Sequence, residues 1–221
     1  ELLATLAEVG DRYAGAEWGL TAPDDVAEGL RVLLHHLGTG IETQLEQDPG
    51  HPTFRLIVAP WRKALGDSAD TVYHDARVDP AGTYRVRGRT AGAVYVSFTV
   101  EAGAAEGTFP TGTVGVLNDT GFDVGPDGSF EIVVGGPEPA GGRGWLPLAP
   151  DASRLTVRHY WEADEPPSRP PAPDLGLSIE LVAGDVASPP AAPDDATVAA
   201  SIRRMAAYLR GRTVETIAKP G

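Results

Sequence analysis

Apolar residues recur at helical spacing in the first stretch of the chain, where Leu2, Leu3, Leu6 and Val9 predict a helix within Glu1–Tyr13. A second helix starts at Thr21-Ala-Pro-Asp24, with Pro23 in its first turn and acids at Asp24, Asp25 and Glu28. Val26, Leu30, Leu33, Leu34, Leu37, Ile41 and Leu45 then form one apolar stripe, with Gly38 and Gly40 as points of bending or breakage. Gln47-Asp-Pro-Gly50 ends it. From there the period changes to two. Phe54–Val58 and Val72–Val78 read as strands, followed by a turn at Pro80-Ala-Gly82. Thr83–Arg89 alternates Tyr84, Val86 and Gly88 with Arg85, Arg87 and Arg89. Val94–Glu101 alternates in the same way. A three-residue turn at Thr90-Ala-Gly92 predicts a hairpin that pairs Val86 with Val96 and Arg87 with Tyr95.

Further strands are expected at Val114–Leu117, Phe130–Val134, Leu155–Trp161 and Leu177–Val182. Pro126-Asp-Gly128 supplies turn chemistry before Phe130. Pro166–Pro173 reads as a stiff connector, and Pro189–Pro193 introduces a last helix over Asp194–Arg212, with Val198, Ile202, Met205, Ala206 and Leu209 on its apolar face. Short strands between Gly- and Pro-rich turns predict a mainly β fold, an antiparallel jelly-roll-like β-sandwich with N-terminal and C-terminal helices. The expected divisions are an N-terminal helical extension over 1–50, the sandwich over 51–187, and a Pro-rich linker with the C-terminal helix over 188–221.

Composition narrows the function classes. There is no Cys, which removes disulfides, thiol nucleophiles and Cys-based metal sites together. No two His have metal-ligand spacing, so neither a metal nor another cofactor is expected. The net charge of -13 argues against a nucleic-acid partner. No apolar run is long enough for a membrane span. No signal peptide is visible, which sets the expectation of a cytoplasmic location. Arginine outnumbers lysine sixteen to two, so a single Arg is weak evidence for anion recognition here.

Several short motifs in order carry a family resemblance. They are Pro60-Trp-Arg-Lys-Ala-Leu-Gly-Asp-Ser-Ala-Asp-Thr-Val-Tyr73, Tyr84-Arg-Val-Arg-Gly88, Asp127-Gly-Ser-Phe-Glu-Ile132, Trp145-Leu-Pro-Leu148 and Leu155-Thr-Val-Arg-His-Tyr160. From about Pro60 to Val182 the chain resembles the bacterial family catalogued as domain of unknown function 1214, which often occurs beside domain of unknown function 1254. The resemblance implies a jelly-roll-like sandwich and no particular activity. In similar proteins the chain continues into further β structure, so a longer parent protein is one expectation. The family's usual Asp-Asn-Pro-Asp stretch stands here as Asp67-Ser-Ala-Asp70, which keeps the acids and loses the Pro-fixed turn.

Candidate chemistry gathers in two places. Trp61, Arg62, Asp67, Asp70 and Tyr73 crowd one loop-rich segment, and Arg158, His159 and Tyr160 crowd one strand. A ligand cavity is expected where these segments meet. The plainer reading is that Asp67 and Asp70 cap turns and that Arg62 pairs with one of them. His159 shares a face with Leu155, Val157 and Trp161, which suits a core residue with one satisfied nitrogen or the polar anchor of a cavity. His74, beside Asp70 and Tyr73, is the other candidate for proton transfer, against the plainer reading of a capped turn entering an edge strand. Arg85, Arg87 and Arg89, joined by Arg158, could hold an anion, or could face solvent with acids as partners. Trp61, Trp145, Trp161 and Tyr95 are candidates for an aromatic platform, against ordinary packing.

Two function classes follow, with a third behind them. The first is a β-sandwich module binding a small organic ligand or a carbohydrate. The second is an enzyme on a small metabolite with an acid–base pair drawn from His159, His74 and Asp70. The third is a structural partner for another module. The partner arrangements left open are a homodimer and association with a further β-rich module.

Overall fold

In a computed structural model, residues 1–13, 18–64, 66–103, 105–162, 174–184 and 192–215 are described. The connector expected at Pro166–Pro173 lies outside them, as does most of Pro189–Pro193. The elements are α1 (Leu2–Tyr13), α2 (Pro23–Gly40) running on into a π-helical turn (Ile41–Leu45), β1 (Arg55–Val58), β2 (Thr71–Arg77), β3 (Thr83–Arg89), β4 (Tyr95–Ala102), β5 (Gly112–Asn118), β6 (Ser129–Gly135), β7 (Trp145–Leu146), β8 (Ala152–Tyr160), β9 (Ser178–Ala183) and α3 (Asp195–Thr213). The nine strands form a sandwich of two sheets, in the orders β1-β2-β8-β4-β5 and β7-β6-β3-β9.

The sandwich core forms where the apolar faces of the two sheets meet. Tyr84, Val86, Val96, Phe98, Phe130, Ile132 and Val157 are all buried there. Phe98, Phe122 and Phe130 form an aromatic triangle with centroids 5.3–5.6 Å apart in tilted and edge-on geometry, which suits the ring quadrupoles. The turn at Pro126-Asp-Gly128 forms as expected: Gly125 donates to the Ser129 carbonyl at 2.7 Å, and Gly128 takes φ +79.

The hairpin expected between Thr83–Arg89 and Val94–Glu101 does not form. β3 pairs with β6 and β9, and β4 pairs with β5 and β8, so the two strands lie in opposite sheets. Ala91 (φ +49) and Gly92 (φ +80) turn the chain across the sandwich. The Val94 amide then donates to the Tyr160 carbonyl at 2.8 Å. Two strands facing each other across a core bury alternate residues just as two hydrogen-bonded neighbours do, so alternation does not separate the cases.

The helices form a unit of their own. Val9, Trp18, Leu33 and Leu209 make its apolar centre, so the two ends of the chain share one core. The expected stripe on α2 is only partly buried: Leu33 faces in, but Leu34 is 63% exposed. The buried face of α2 and its π turn instead carries His36, Thr39, Thr43 and Gln44. On α3, Met205, Ala206 and Leu209 are buried as expected, together with Tyr208 and Arg212, while Val198 and Ile202 lie partly exposed.

Gly135 stands where β6 leaves the sheet, at φ +78, and a Cβ there would fall on the Gly82 carbonyl oxygen. Gly135→Ala is expected to destabilise the protein by at least ~1–3 kcal/mol through backbone strain alone. Gly112→Ala, which opens onto free space at ordinary φ, should be neutral or slightly stabilising. Urea denaturation of the two variants checks the contrast.

Candidate functional site

The register of β2, β8 and β4 places four rows of side chains on the outer face of the five-stranded sheet. They run Thr71–Tyr160–Tyr95, Tyr73–Arg158–Ser97, Asp75–Thr156–Thr99 and Arg77–Arg154–Glu101. Such a face would ordinarily be solvated, yet Asp75, Ser97, Thr99, Arg154 and Thr156 are buried. Arg154 forms an ion pair with Asp75 and a longer one with Glu101 at 3.8 Å. Burial opposes the Arg154 charge, but these two carboxylates outweigh it and raise its pKa. From the helical side come Tyr208 and Arg212, whose guanidinium lies 3.7 Å over the Tyr208 ring. Gln47 closes one edge: its amide donates to the Asp75 carbonyl at 3.1 Å and accepts from the Arg77 amide at 3.2 Å, standing in for a strand residue beside β2.

Four of the expected ligand residues converge at one end of this face. The Tyr73 and Tyr160 hydroxyls are 2.9 Å apart, and the Tyr95 ring lies 5.6 Å from that of Tyr160. Arg158 sits over Tyr73 at 5.1 Å and donates to the Thr99 hydroxyl at 2.6 Å. Burial, followed by the Tyr73 hydrogen bond, raises the Tyr160 pKa. These contacts are satisfied among themselves, and none of the four residues lines the groove between the helices and the sandwich or the one over β3 and β6.

The other candidates disperse. Arg158 does not extend the arginine stripe of β3, because it lies on the other sheet. The stripe faces solvent and meets acids: Arg87 bonds Glu131 at 2.7 Å and Arg85 reaches Glu180 at 3.5 Å. Trp61 and Trp161 pack with Val72 and Leu175, while Trp145 donates to the Gly135 carbonyl at 3.0 Å on the opposite sheet, so no joint platform with Tyr95 exists. Asp67 accepts from the Ala64 amide at 2.9 Å and meets Lys63 at 3.3 Å, which is a turn cap. Arg62 pairs with Glu42 at 3.3 Å, not with either acid of its own loop.

The histidines face inward. His159 is fully buried, its Nε2 donating to the Arg89 carbonyl at 3.1 Å and its ring stacked on Trp161 at 5.8 Å. His74 faces the same core, one strand over. No hydrogen bond or ion pair among the described residues joins the Asp70 carboxylate to either ring, so the expected His/Asp pair is not assembled. Burial pushes His36, His74 and His159 down to about 4.

The grooves of the described surface include two of substantial volume. A shallow one of about 510 Å³ lies over the Arg87–Glu131 region of β3 and β6. The other, of about 710 Å³, runs between the helical unit and the end of the sandwich. Its walls are the π turn and the loop after it (Leu45–His51), the β2–β3 connection (Arg77–Tyr84), Leu181 on β9 and the first turns of α3 (Thr197, Ser201, Arg204). Neither groove lies between Pro60–Tyr73 and Leu155–Trp161, although those segments do adjoin through β2–β8 pairing and the Trp161 amide bond to Asp70 at 3.2 Å. Sequence reading missed the larger groove because its residues come from four separated segments.

Asp75→Ala leaves Arg154 buried beside Glu101 alone, and is expected to cost about 3–5 kcal/mol in urea denaturation. The double change Asp75→Leu with Arg154→Met should recover most of that loss. The histidines set the acid response. Each is neutral when folded and regains its ordinary pKa of 6.5 on unfolding. The unfolded chain therefore binds more protons between 6.5 and about 4, and stability falls as the pH falls through that window. His159→Gln, which keeps a donor toward the Arg89 carbonyl, should flatten the slope of Tm against pH there.

Neither a family model nor a curated protein matches the chain. Among solved structures, it is similar to an uncharacterised protein from Burkholderia cenocepacia, with 28% identity and a TM-score of 0.78 over 97% of this chain and 57% of that one. A protein from Vibrio parahaemolyticus shares 15% identity at a TM-score of 0.37, over 82% of this chain and 42% of its own. The chain thus spans a little over half the length of the Burkholderia protein, and the likeness takes in sandwich and helices alike.

Proposed function

We propose that this chain is a binding module that takes a small organic ligand in the groove between its helical unit and its sandwich. The observation that carries this reading is the groove itself: about 710 Å³, at the junction of two packed units, with apolar and charged walls. Ligand sites favour such junctions and such volumes. A carbohydrate platform is less well supported, because Trp61, Trp145 and Tyr95 do not share a face. An acid–base enzyme is less well supported too, because His74 and His159 are turned into the core. The family resemblance implies a sandwich and leaves its use open, so the reading rests on geometry.

Ala81 stands exposed at the groove wall and uses only its backbone amide, which donates to Asp79 at 2.8 Å. Ala81→Trp should therefore obstruct the groove and leave the unliganded Tm unchanged. Ligands found by a thermal-shift screen of small organic compounds should stabilise the native protein and Ala81→Ser but not Ala81→Trp. Equal stabilisation of Ala81→Trp would place the site elsewhere.

A further inference from the structure

The groove between the two units is lined by three acids, Glu46, Asp48 and Asp79, and by two arginines, Arg77 and Arg204, that none of these acids pairs. β2, β8 and α3 bring Arg77, Arg154 and Arg204 into one neighbourhood. Arg154 stands directly opposite Arg77 in the β2–β8 register. The two nearby acids pair with other arginines: Asp75 with Arg154, and Glu101 with Arg154 and Arg158. Arg77 and Arg204 are left with neutral acceptors. Arg77 donates to the Ala105 carbonyl at 2.9 Å. Arg204 donates to the Gln44 carbonyl at 3.2 Å and the Ser201 hydroxyl at 2.7 Å, and its Nε is buried without a partner. Neither has a carboxylate within ion-pair distance among the described residues. Partly buried guanidinium groups ordinarily find one. Burial, and after it the Arg204 charge, depresses the Arg77 pKa against the opposing pull of Asp75 and Glu106.

The acids that line the groove do not supply that carboxylate. Asp48 accepts from the Gly50 amide at 2.8 Å and from His51 at 3.0 Å, and Asp79 accepts from the Ala81 amide at 2.8 Å. Both are closed on their own turns. Glu46 at the rim and Glu106 beyond it are exposed and form no ion pair with either arginine. The rest of the wall includes Leu45, Pro49 and Leu181. A bare inorganic ion would leave this apolar surface and most of the volume unused.

We infer that the groove takes a small carboxylic acid, with its carboxylate held by Arg77 and Arg204 and its apolar body against Leu45 and Leu181. Planar guanidinium forks match a carboxylate with paired hydrogen bonds, and an organic body accounts for the apolar wall. The inference rests on the groove being the ligand site, and its test keeps the two apart.

The test is calorimetric titration of the full 221-residue chain with hexanoate and benzoate, and with hexanamide and benzamide as uncharged counterparts. The acids should bind at least about tenfold more tightly than the amides, since a charge-assisted pair is lost with the charge. Arg77→Met and Arg204→Met should each weaken the acids by about tenfold or more and leave the amides unchanged. Arg77→Lys should retain part of the acid affinity, and thermal melts report whether each variant is folded. Should Arg204→Met not fold, the two Arg77 variants carry the comparison. Equal binding of acids and amides, acid binding indifferent to Arg77→Met, or no binding of either acid overturns the carboxylate inference. Ala81→Trp separates the outcomes. If it abolishes acid and amide binding alike while acids and amides bind equally, the groove stands and only the carboxylate falls. If acid binding survives Ala81→Trp intact, both readings fall.

Discussion

The cluster of charges formed by Asp75, Arg154 and Glu101 on the outer face of the five-stranded sheet is the constraint around which the rest is arranged. A buried guanidinium between two carboxylates needs both partners and a cover that keeps water out without adding uncompensated polar groups. α3 and the π turn provide the cover. They present Tyr208, Arg212, Thr43 and Gln44, side chains that can face charge, where an ordinary amphipathic helix would present leucines. The same constraint explains why α2 leaves Leu34 largely exposed: its polar side, with His36 and Thr39, is the one turned inward.

Two kinds of core therefore stabilise one chain. Between the sheets the core is apolar and aromatic, closed by the Phe98–Phe122–Phe130 triangle and by His159, kept neutral by burial and bonded to the Arg89 carbonyl. Between the five-stranded sheet and the helices the layer is polar, with several buried atoms lacking protein partners, among them Asp75 Oδ1, Thr156 Oγ1 and both nitrogens of His36. Hydrophobic burial is non-directional, whereas a polar layer depends on specific pairs. The groove opens at the margin of that polar layer, where Gln47 finishes β2 and Arg77 and Arg204 join the wall. The feature that makes the interface unusual also shapes the site.

How much was legible in the chain beforehand differs by level. Strand positions followed from period-two alternation, and β1, β2, β3, β4, β5, β6, β8 and β9 each overlap an expected segment. Only the two-residue β7 carried no pattern of its own. The inward set of Tyr84, Val86, Val96 and Phe98 was legible for the same reason. Partnership was not. Tyr84 lies opposite Val134 and Leu181, and Phe98 opposite Leu117 and Val157, and no local signal distinguishes these pairings from the hairpin that the Thr90–Gly92 turn suggests.

The residues of the candidate site show the same division. Tyr73, Tyr95, Arg158 and Tyr160 could be singled out by type, yet their meeting on one face depends on β8 lying between β2 and β4. A signal for the buried polar layer was present in the matched residues Asp75, Glu101, Arg154, Thr99 and Thr156, but alternation assigns a polar face to solvent by default. Arg77 and Arg204 stand 127 positions apart in the sequence, and nothing in their local patterns connects them. The sequence by itself determined the class of fold, the helices at both ends, the inward faces of the strands and the absence of cysteine chemistry, because these depend on periodicity and composition. The tertiary structure alone decided which strands pair, that a polar sheet face is buried, and that two arginines from distant elements share one groove, because long-range pairing and desolvation are properties of surfaces brought together and not of any segment read alone.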